Sequence, residues 1–323
     1  MALLKARAAV CVAVLAGAVC AQTNPGDTTV LKWKDGKRAA FFLAFDDSCR
    51  THVSKAIPEL SKRGMVGTFY INPGKGPFQS ERKAWELDLP KNPAVVYGNH
   101  TFTHVGATNA AQLEVELARC EEAIRACYPA AKPVRLVSFG RPGGVPWTVT
   151  EAEKQEALAR HHLIERPAFF SYPFHVKTGE EVCRLVDQAI AKGEAGHLDF
   201  HGVDGDWLST PMAIFSALLD KLEACGGEVW MTDHISCHKY RTERDSAQVH
   251  AVRADGEGIR LTLTSEADPS LYDLPLTLET RVPAGWRACR VTQGAVQVER
   301  PVADGRVRYE AVPGGGEIVL SRR

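Results

Sequence analysis

A chain of 323 residues and 35.3 kDa is long enough for one large core with an accessory module, so one or two domains are expected. Its 45% hydrophobic and 24% charged residues exclude a disordered tail or an acidic scaffold. Lys plus Arg and Asp plus Glu balance at 39 each, which leaves no basic field for nucleic acid or an anionic membrane and points to a ligand that is neutral or recognised locally.

Residues 1–21 read as a secretory signal peptide: Lys5 and Arg7, an uncharged Ala/Val/Leu run, then Val19-Cys20-Ala21 ahead of Gln22. The apolar stretch from Ala8 to Ala21 is shorter than the ~20 residues that span a bilayer. Cleavage is therefore expected, giving a secreted, periplasmic or cell-envelope protein with no stable membrane span. The bulk of Val19 disfavours lipidation at Cys20. Seven of the nine cysteines lie beyond this segment, an odd number with no Cys-x-x-Cys spacing, and most of them read as buried apolar fillers, with no thiolate zinc site or redox pair indicated.

After Asn24-Pro25-Gly26, short apolar runs alternate with stretches of helical period. The runs are Ala39–Phe45, Val66–Ile71, Ala94–Tyr97, Val134–Phe139, Ala168–Ser171, Gly196–Phe200 and Glu228–Thr232. Helices are expected over His52–Arg63, Ala110–Cys127, Thr150–His161, Glu180–Ala191 and Pro211–Cys225, with Gly64, Gly193 and Gly226 just past three of them. Such alternation predicts an α/β fold with a parallel sheet covered by helices. Seven units predict a distorted seven-stranded (β/α) barrel over residues 22–248. From about Val249 the pattern turns to period two, in Ile259–Thr264, Leu274–Leu278, Ala288–Val291 and Val307–Glu310, and predicts a small antiparallel β domain over residues 249–323. Its role is either a β extension packed on the barrel or a sugar-binding module.

In a parallel barrel the active site lies at the C-terminal rim, so the residues following each apolar run are candidates. The first run enters Asp46-Asp47, two adjacent carboxylates whose repulsion and desolvation a cation would relieve. The third leads into Asn99-His100-Thr101-Phe102-Thr103-His104, where His-x-x-x-His spacing predicts two imidazoles one helical turn apart on one face. Two histidines and one aspartate leave an open position on a tetrahedral cation, as in a catalytic zinc site, and the other aspartate stays free for proton transfer. The fourth ends in Ser138-Phe139-Gly140-Arg141-Pro142-Gly143-Gly144. Arg141 is expected to pair with the free carboxylate, and backbone N–H groups at Gly143 and Gly144 to face a developing oxyanion.

Phe45-Asp46-Asp47, then Gly67-Thr68-Phe69-Tyr70-Ile71, then Gly98 to His104 resemble, in order and spacing, the opening motifs of the polysaccharide deacetylase (NodB-homology) domain of carbohydrate esterase family 4. The resemblance covers about Ala39 to Thr232. It implies a distorted barrel of seven strands and metal-dependent hydrolysis of acetyl groups from N-acetylated or O-acetylated glycans. It makes Asp46 the catalytic base, Asp47, His100 and His104 the ligands of a divalent metal such as Zn2+, and Arg141 the residue that orients the base. The family's later Asp-x-x-Trp and Leu-x-His motifs have two placements here. The histidine assisting the leaving group is either His201, in Leu198-Asp199-Phe200-His201-Gly202, or His234, in Thr232-Asp233-His234. Trp207, in Asp204-Gly205-Asp206-Trp207, would form a wall of the sugar cleft, with Asp206 orienting His201. Ser48 stands where the family usually has glycine, and the arginine loop lacks the aromatic residue often found there.

His161 and His162 read as capping or surface residues, and His175 as a secondary site candidate. Asn99-His100-Thr101 matches a glycosylation acceptor in form only, because His100 belongs in the cleft. The competing readings are a metal-dependent hydrolase of another non-peptide C–N bond and a catalytically degenerate carbohydrate-binding protein. A lyase or glycosidase lacks a second constellation of carboxylates.

Overall fold

The computed structural model describes residues 24–128, 134–255 and 258–323. The expected signal peptide, residues 1–21, lies outside the described residues. A short strand, β1 (Thr28–Val30), precedes β2 (Ala39–Asp46), which is buried at all eight positions, as a strand covered on both faces must be. Parallel to β2 run β3 (Gly67–Ile71), β4 (Val95–Asn99), β5 (Val137–Phe139), β6 (Leu163–Glu165), β7 (Ala195–Phe200) and β8 (Val229–Thr232). Their order is β6-β5-β4-β3-β2-β7, with β8 also on β2.

The main helices between and after these strands are α1 (Ile57–Lys62), α2 (Gly76–Ser80), α3 (Ala110–Cys127), α4 (Glu151–Arg160), α5 (Gly179–Lys192), α6 (Met212–Ala224) and α7 (His234–Asp245). Both α4 and α5 start with complete capping boxes, Thr150 with Glu153 and Thr178 with Glu181. Gly193 ends α5 at φ 67, a left-handed conformation that glycine adopts without a Cβ penalty.

The α/β class and the parallel sheet agree with the sequence, but the strand set does not. Ala168–Ser171 is no strand: it contributes one isolated parallel bridge, Ser171 to Asp199. Its place in the sheet is taken by β6, three residues long and ending in a glutamate, too short for any periodicity to register. On one side of β2, β8 pairs the first half (Ala39–Phe42) and β3 the second (Ala44–Asp46), while β7 follows the other side. The sheet therefore curls as a half barrel, and the Ser171–Asp199 bridge leads from the segment after β6 to β7.

Rings fill the interior, Phe45 stacking on Phe69 at 4.5 Å and on Phe200 at 5.1 Å. Glycines on neighbouring strands make room for them. A Cβ on Gly196 would lie 2.6 Å from the Phe41 ring, and one on Gly98 2.6 Å from the Tyr70 ring.

The remaining strands are β9 (Gln248–Asp255), β10 (Gly258–Thr264), β11 (Leu276–Arg281), β12 (Ala288–Gln293), β13 (Val296–Ala303), β14 (Arg306–Ala311) and β15 (Glu317–Arg322), in an antiparallel sheet ordered β1-β11-β14-β13-β12-β15-β10-β9. The member not foreseen is β1: residues ahead of the barrel pair with β11, Thr28 opposite Thr280. Tyr240 of α7 is buried in this sheet's core with Leu261, Leu278 and Tyr309, donates its hydroxyl to the Leu31 carbonyl at 3.0 Å and accepts from the Thr277 N–H. The β unit thus packs against α7. No helix among the described residues is long and apolar enough to cross a membrane, and the seven cysteines described are all free thiols.

The close approach at Gly196 generates a prediction. Gly196→Ala forces its methyl into Phe41 and is expected to cost about 1–3 kcal/mol, the usual penalty for overpacking a core. Urea denaturation measures it, and an unchanged midpoint would show that the ring yields without cost.

Candidate active site

Parallel register sets which side chains meet at the rim. Phe45 lies opposite Phe69 and Phe200, Asn99 opposite Phe139, and Phe139 opposite Glu165. The residues just beyond these levels, Asp46-Asp47, His100, Arg166 and His201, line one cavity of about 340 Å³ together with His104.

Asp47 Oδ1 lies 3.1 Å from His104 Nε2 and 3.7 Å from His100 Nε2. His100 Nδ1 donates to the Gly140 carbonyl at 2.6 Å, and since a carbonyl only accepts, Nε2 is left with its lone pair facing the cavity. One donor atom from each of Asp47, His100 and His104 lies within 4.8 Å of the others. A carboxylate and two imidazoles so oriented are a donor set that fits a divalent cation. The two histidines do not converge through a helical turn, as their spacing predicts. Residues 100–104 form an irregular bend, with Thr101 at φ 62 and His104 at φ 60.

That bend and the aspartate turn are strained, since left-handed backbone is uncommon outside glycine. Asp47 has φ 73 and Ser48 φ 50. Ser48 holds the left-handed conformation at the position where glycine is usual, and its Oγ repays this by accepting from the Asn72 N–H at 3.0 Å. Asn72 in turn donates to the carbonyls of His100 and Thr101, and Glu116 receives both the N–H and the hydroxyl of Thr103. Asn99 is fully buried and spends its side chain on Leu117 and Thr101, which leaves no exposed amide for a glycan.

The arginine on Asp46 is Arg166, not Arg141. From the end of β6, Arg166 donates to both Asp46 oxygens, at 2.8 and 2.6 Å, and to Asp199 Oδ1 at 2.8 Å. All three groups are buried. Arg141 is exposed at the cavity mouth, its guanidinium 5.2 Å from the Trp147 ring centroid, while both Asp46 oxygens are taken by Arg166. Burial alone would raise the Asp46 carboxyl, but Arg166, His100 and His201 together hold it below the usual range. Burial pushes Asp199 up to about 7, with Arg166 opposing and Asp46 adding to the rise. Burial takes His100 down to about 4 against the pull of Asp46 and Asp47. For Asp47, hydrogen bonding to His104 and the charges of His100, His104 and Lys75 outweigh burial and lower its pKa.

Register also separates the two histidine candidates. Phe200 pairs with Phe45, so His201 stands level with Asp46 and faces the cavity, its Nε2 3.9 Å from Asp47 Oδ2. Thr232 pairs with Phe42, three residues lower, so His234 falls beneath the rim. There it bonds Ser138 Oγ at 2.7 Å, next to Tyr70, and burial pushes it down to about 3. Asp206 does not reach the His201 ring: its carboxylate accepts from the Thr51 N–H at 2.7 Å, and His201 Nδ1 is buried without a partner. His201 is steadied through its backbone, its carbonyl accepting from His52 Nε2 at 2.7 Å.

Trp207, Gly143 and Gly144 line the cavity, together with Phe169 and Phe174. His161 is held by Glu114 and Glu121 away from the cavity, and His175 stacks on Phe170 outside its lining. Sequence reasoning missed Arg166, Asp199, His52, Phe169, Phe174 and Lys75. Lys75, just before α2, sets its Nζ 3.1 Å from Asp47 Oδ1, the same oxygen that both imidazoles address. The available signal for Arg166 was the apolar pair Leu163-Ile164 directly after a capped helix.

Residues 34–159 match the polysaccharide deacetylase family. The opening motifs read in the sequence fall inside that match, including Asp46, Asp47, His100 and His104, whereas Arg166, Asp199, His201, Trp207 and His234 lie beyond it. Among curated proteins, a gellan lyase from a Bacillus species is 22% identical over 91% of this chain, and the chain spans 13% of that protein's length. Solved structures with partial likeness include a family 4 carbohydrate esterase from Streptomyces lividans in complex with acetate (17% identity, TM-score 0.41, covering 62% of this chain and 95% of that one). Another is the peptidoglycan deacetylase PdaC from Bacillus subtilis (13%, 0.44, 62% and 90%). A third is a CE4 family pseudoenzyme from Bacillus anthracis (13%, 0.46, 62% and 65%). At such TM-scores these likenesses carry no weight beside the geometry.

The two arginines make opposite predictions. Arg166→Met leaves two buried carboxylates unpaired and is expected to cost roughly 3–5 kcal/mol of stability, whereas Arg141→Gln at the exposed mouth stays within about 0.5 kcal/mol. Equal urea midpoints for the two variants would remove Arg166 from the centre of the site.

Proposed function

We propose that this chain is a secreted, metal-dependent polysaccharide deacetylase that hydrolyses acetyl groups from glycans. The observation that carries this reading is a single cavity shared by an arginine-held carboxylate, Asp46, and the Asp47–His100–His104 donor set. Asp47, His100 and His104 would hold a divalent cation, Zn2+ being the simplest match to two imidazoles and one carboxylate, and it would supply Lewis-acid polarisation of the acetyl carbonyl and a lowered pKa for water.

The chain's own groups do the rest. Arg166 keeps Asp46 ionised and fixed, so its carboxylate takes a proton from the attacking water as general base. His201, whose Nε2 faces the cavity, gives a proton to the departing sugar atom. Gly143 and Gly144 line the same cavity, and in this reading their backbone N–H groups meet the developing oxyanion. Trp207, two-thirds exposed, and Phe174, equally open, offer flat apolar faces for sugar rings. Placement outside the cytoplasm rests on the order of charged, apolar and small residues in positions 1–21.

Acetate release from chitin oligosaccharides and peptidoglycan, after chelation and again after zinc is restored, tests the reading. Asp46→Asn is expected to keep the metal and lose about 10²–10⁴-fold in turnover, the worth of a positioned base, while His104→Ala loses metal and turnover together. Equal rates for His104→Ala and the parent protein in chelator-treated, zinc-supplemented buffer would refute the metal role. Lys75 competes with a cation for Asp47 Oδ1, so Lys75→Met is expected to tighten zinc binding about tenfold, the effect of removing roughly 1.4 kcal/mol of repulsion. Competition with a chromogenic chelator measures this without turnover, and unchanged or weaker affinity sinks the competition.

A further inference from the structure

Past His104 and Trp207 the cavity continues into a second depression of about 650 Å³, which shares Asp47, Gly143 and Gly144 with the first and adds Arg50 and Lys75. Three cations on three different loops surround this mouth: Arg50 after β2, Lys75 after β3 and Arg141 after β5. Two of the three acids that face them are paired with cations, and the third, Asp206, is exposed and offsets one of the three positive charges. Asp46 is taken by Arg166, Asp47 by Lys75 and His104, and Asp206 accepts from the Thr51 N–H.

Arg50 and Arg141 are both exposed and make no ion pair within 4 Å among the described residues. Arg50 spends only its Nε, on Ser80 Oγ at 3.0 Å. Arg141 lies against Trp147, which is itself braced by a 3.0 Å bond from its Nε1 to the Pro142 carbonyl. Its field reaches Glu151, but that carboxylate bonds Lys154 and Gln155. The whole chain sums to zero formal charge, so unspent positive charge at the entrance is a local feature and not general basicity. Guanidinium forks match carboxylates two bonds at a time.

Resting on the deacetylase reading, we propose that the substrate is an acidic glycan, an acetylated polysaccharide in which uronate residues flank the acetylated sugar. Arg50 and Arg141 receive carboxylates on either side of the Asp47–His100–His104 set, and the aromatic walls hold the sugar between them. The preference is electrostatic and exposed, so salt weakens it.

The test uses the full chain with two probes of equal length that carry the same N-acetyl group: oligosaccharides alternating glucuronate with N-acetylglucosamine, and oligosaccharides of N-acetylglucosamine alone. The expected result is about tenfold higher kcat/KM on the uronate probe at low salt, shrinking in 0.5 M sodium chloride, two charge-assisted contacts being at stake. Arg50→Gln is expected to lose about fivefold on the uronate probe and less than twofold on the neutral one, the worth of one exposed ion pair. Equal or better turnover of the neutral probe, or an equal effect of Arg50→Gln on both, overturns the inference. Binding of each probe by calorimetry separates the two claims. Uronate binding that depends on Arg50 without acetate release from either probe, with or without zinc, supports the acidic ligand and refutes the deacetylase reading. Absence of both refutes both.

Discussion

Arg166 is the hinge of charge in this molecule. Its guanidinium leaves the edge strand β6, crosses the open side of the half barrel and meets Asp46 on β2 and Asp199 on β7. A buried arginine facing two buried carboxylates is costly to desolvate and tolerable only because every charged oxygen nearby is met. Asp199 adds a further tie, accepting from the Phe170 N–H at 2.6 Å, so the segment that carries Phe169 and Phe174 is anchored through the same pair. One side chain thus lowers the Asp46 pKa, together with His100 and His201, and links the strand edge that the backbone leaves open to the aromatic wall of the cavity.

Around that pair the rim is built from backbone that most residues avoid. Asp47, Ser48, Thr101 and His104 all sit at positive φ, and buried polar groups brace both turns: Asn72 ties Ser48 to the carbonyls of His100 and Thr101, and Asn99 and Glu116 support the histidine bend. Strain of this sort persists where the surroundings over-determine it. Its effect here is to aim a carboxylate and two imidazoles at one point from loops that a relaxed backbone would splay.

Much of the fold was legible because β2, β3 and β4 are apolar runs separated by longer mixed stretches, and burial on both faces requires such runs. The metal donor set was legible for a related reason, since Asp46-Asp47 and His100 to His104 are neighbours in sequence, where spacing alone shows them. Arg166 was not. It follows a strand of three residues, whereas Arg141 follows a run that was visible, so a rule that inspects strand ends selected the wrong arginine. The Ala168–Ser171 run, read as a strand, turned out to be the loop that presents Phe169. Thr28–Val30 was likewise silent, because its partner β11 lies about 250 residues away and nothing local marks the pairing.

The sequence by itself determined the class of fold, the paired aspartates and the histidine pair, since hydrophobic period and short-range spacing are written along the chain. Only the tertiary structure decided which arginine meets Asp46, that Lys75 shares Asp47, and which histidine stands at the rim. His201 and His234 both follow apolar strands that pair with β2. They differ in register, Phe200 opposite Phe45 against Thr232 opposite Phe42. His201 follows its pair by one residue and His234 by two, so the histidines stand two register positions apart, about 7 Å at ~3.3 Å per residue, enough to move a side chain from the cavity to the packed interior, and no local feature of either segment records it.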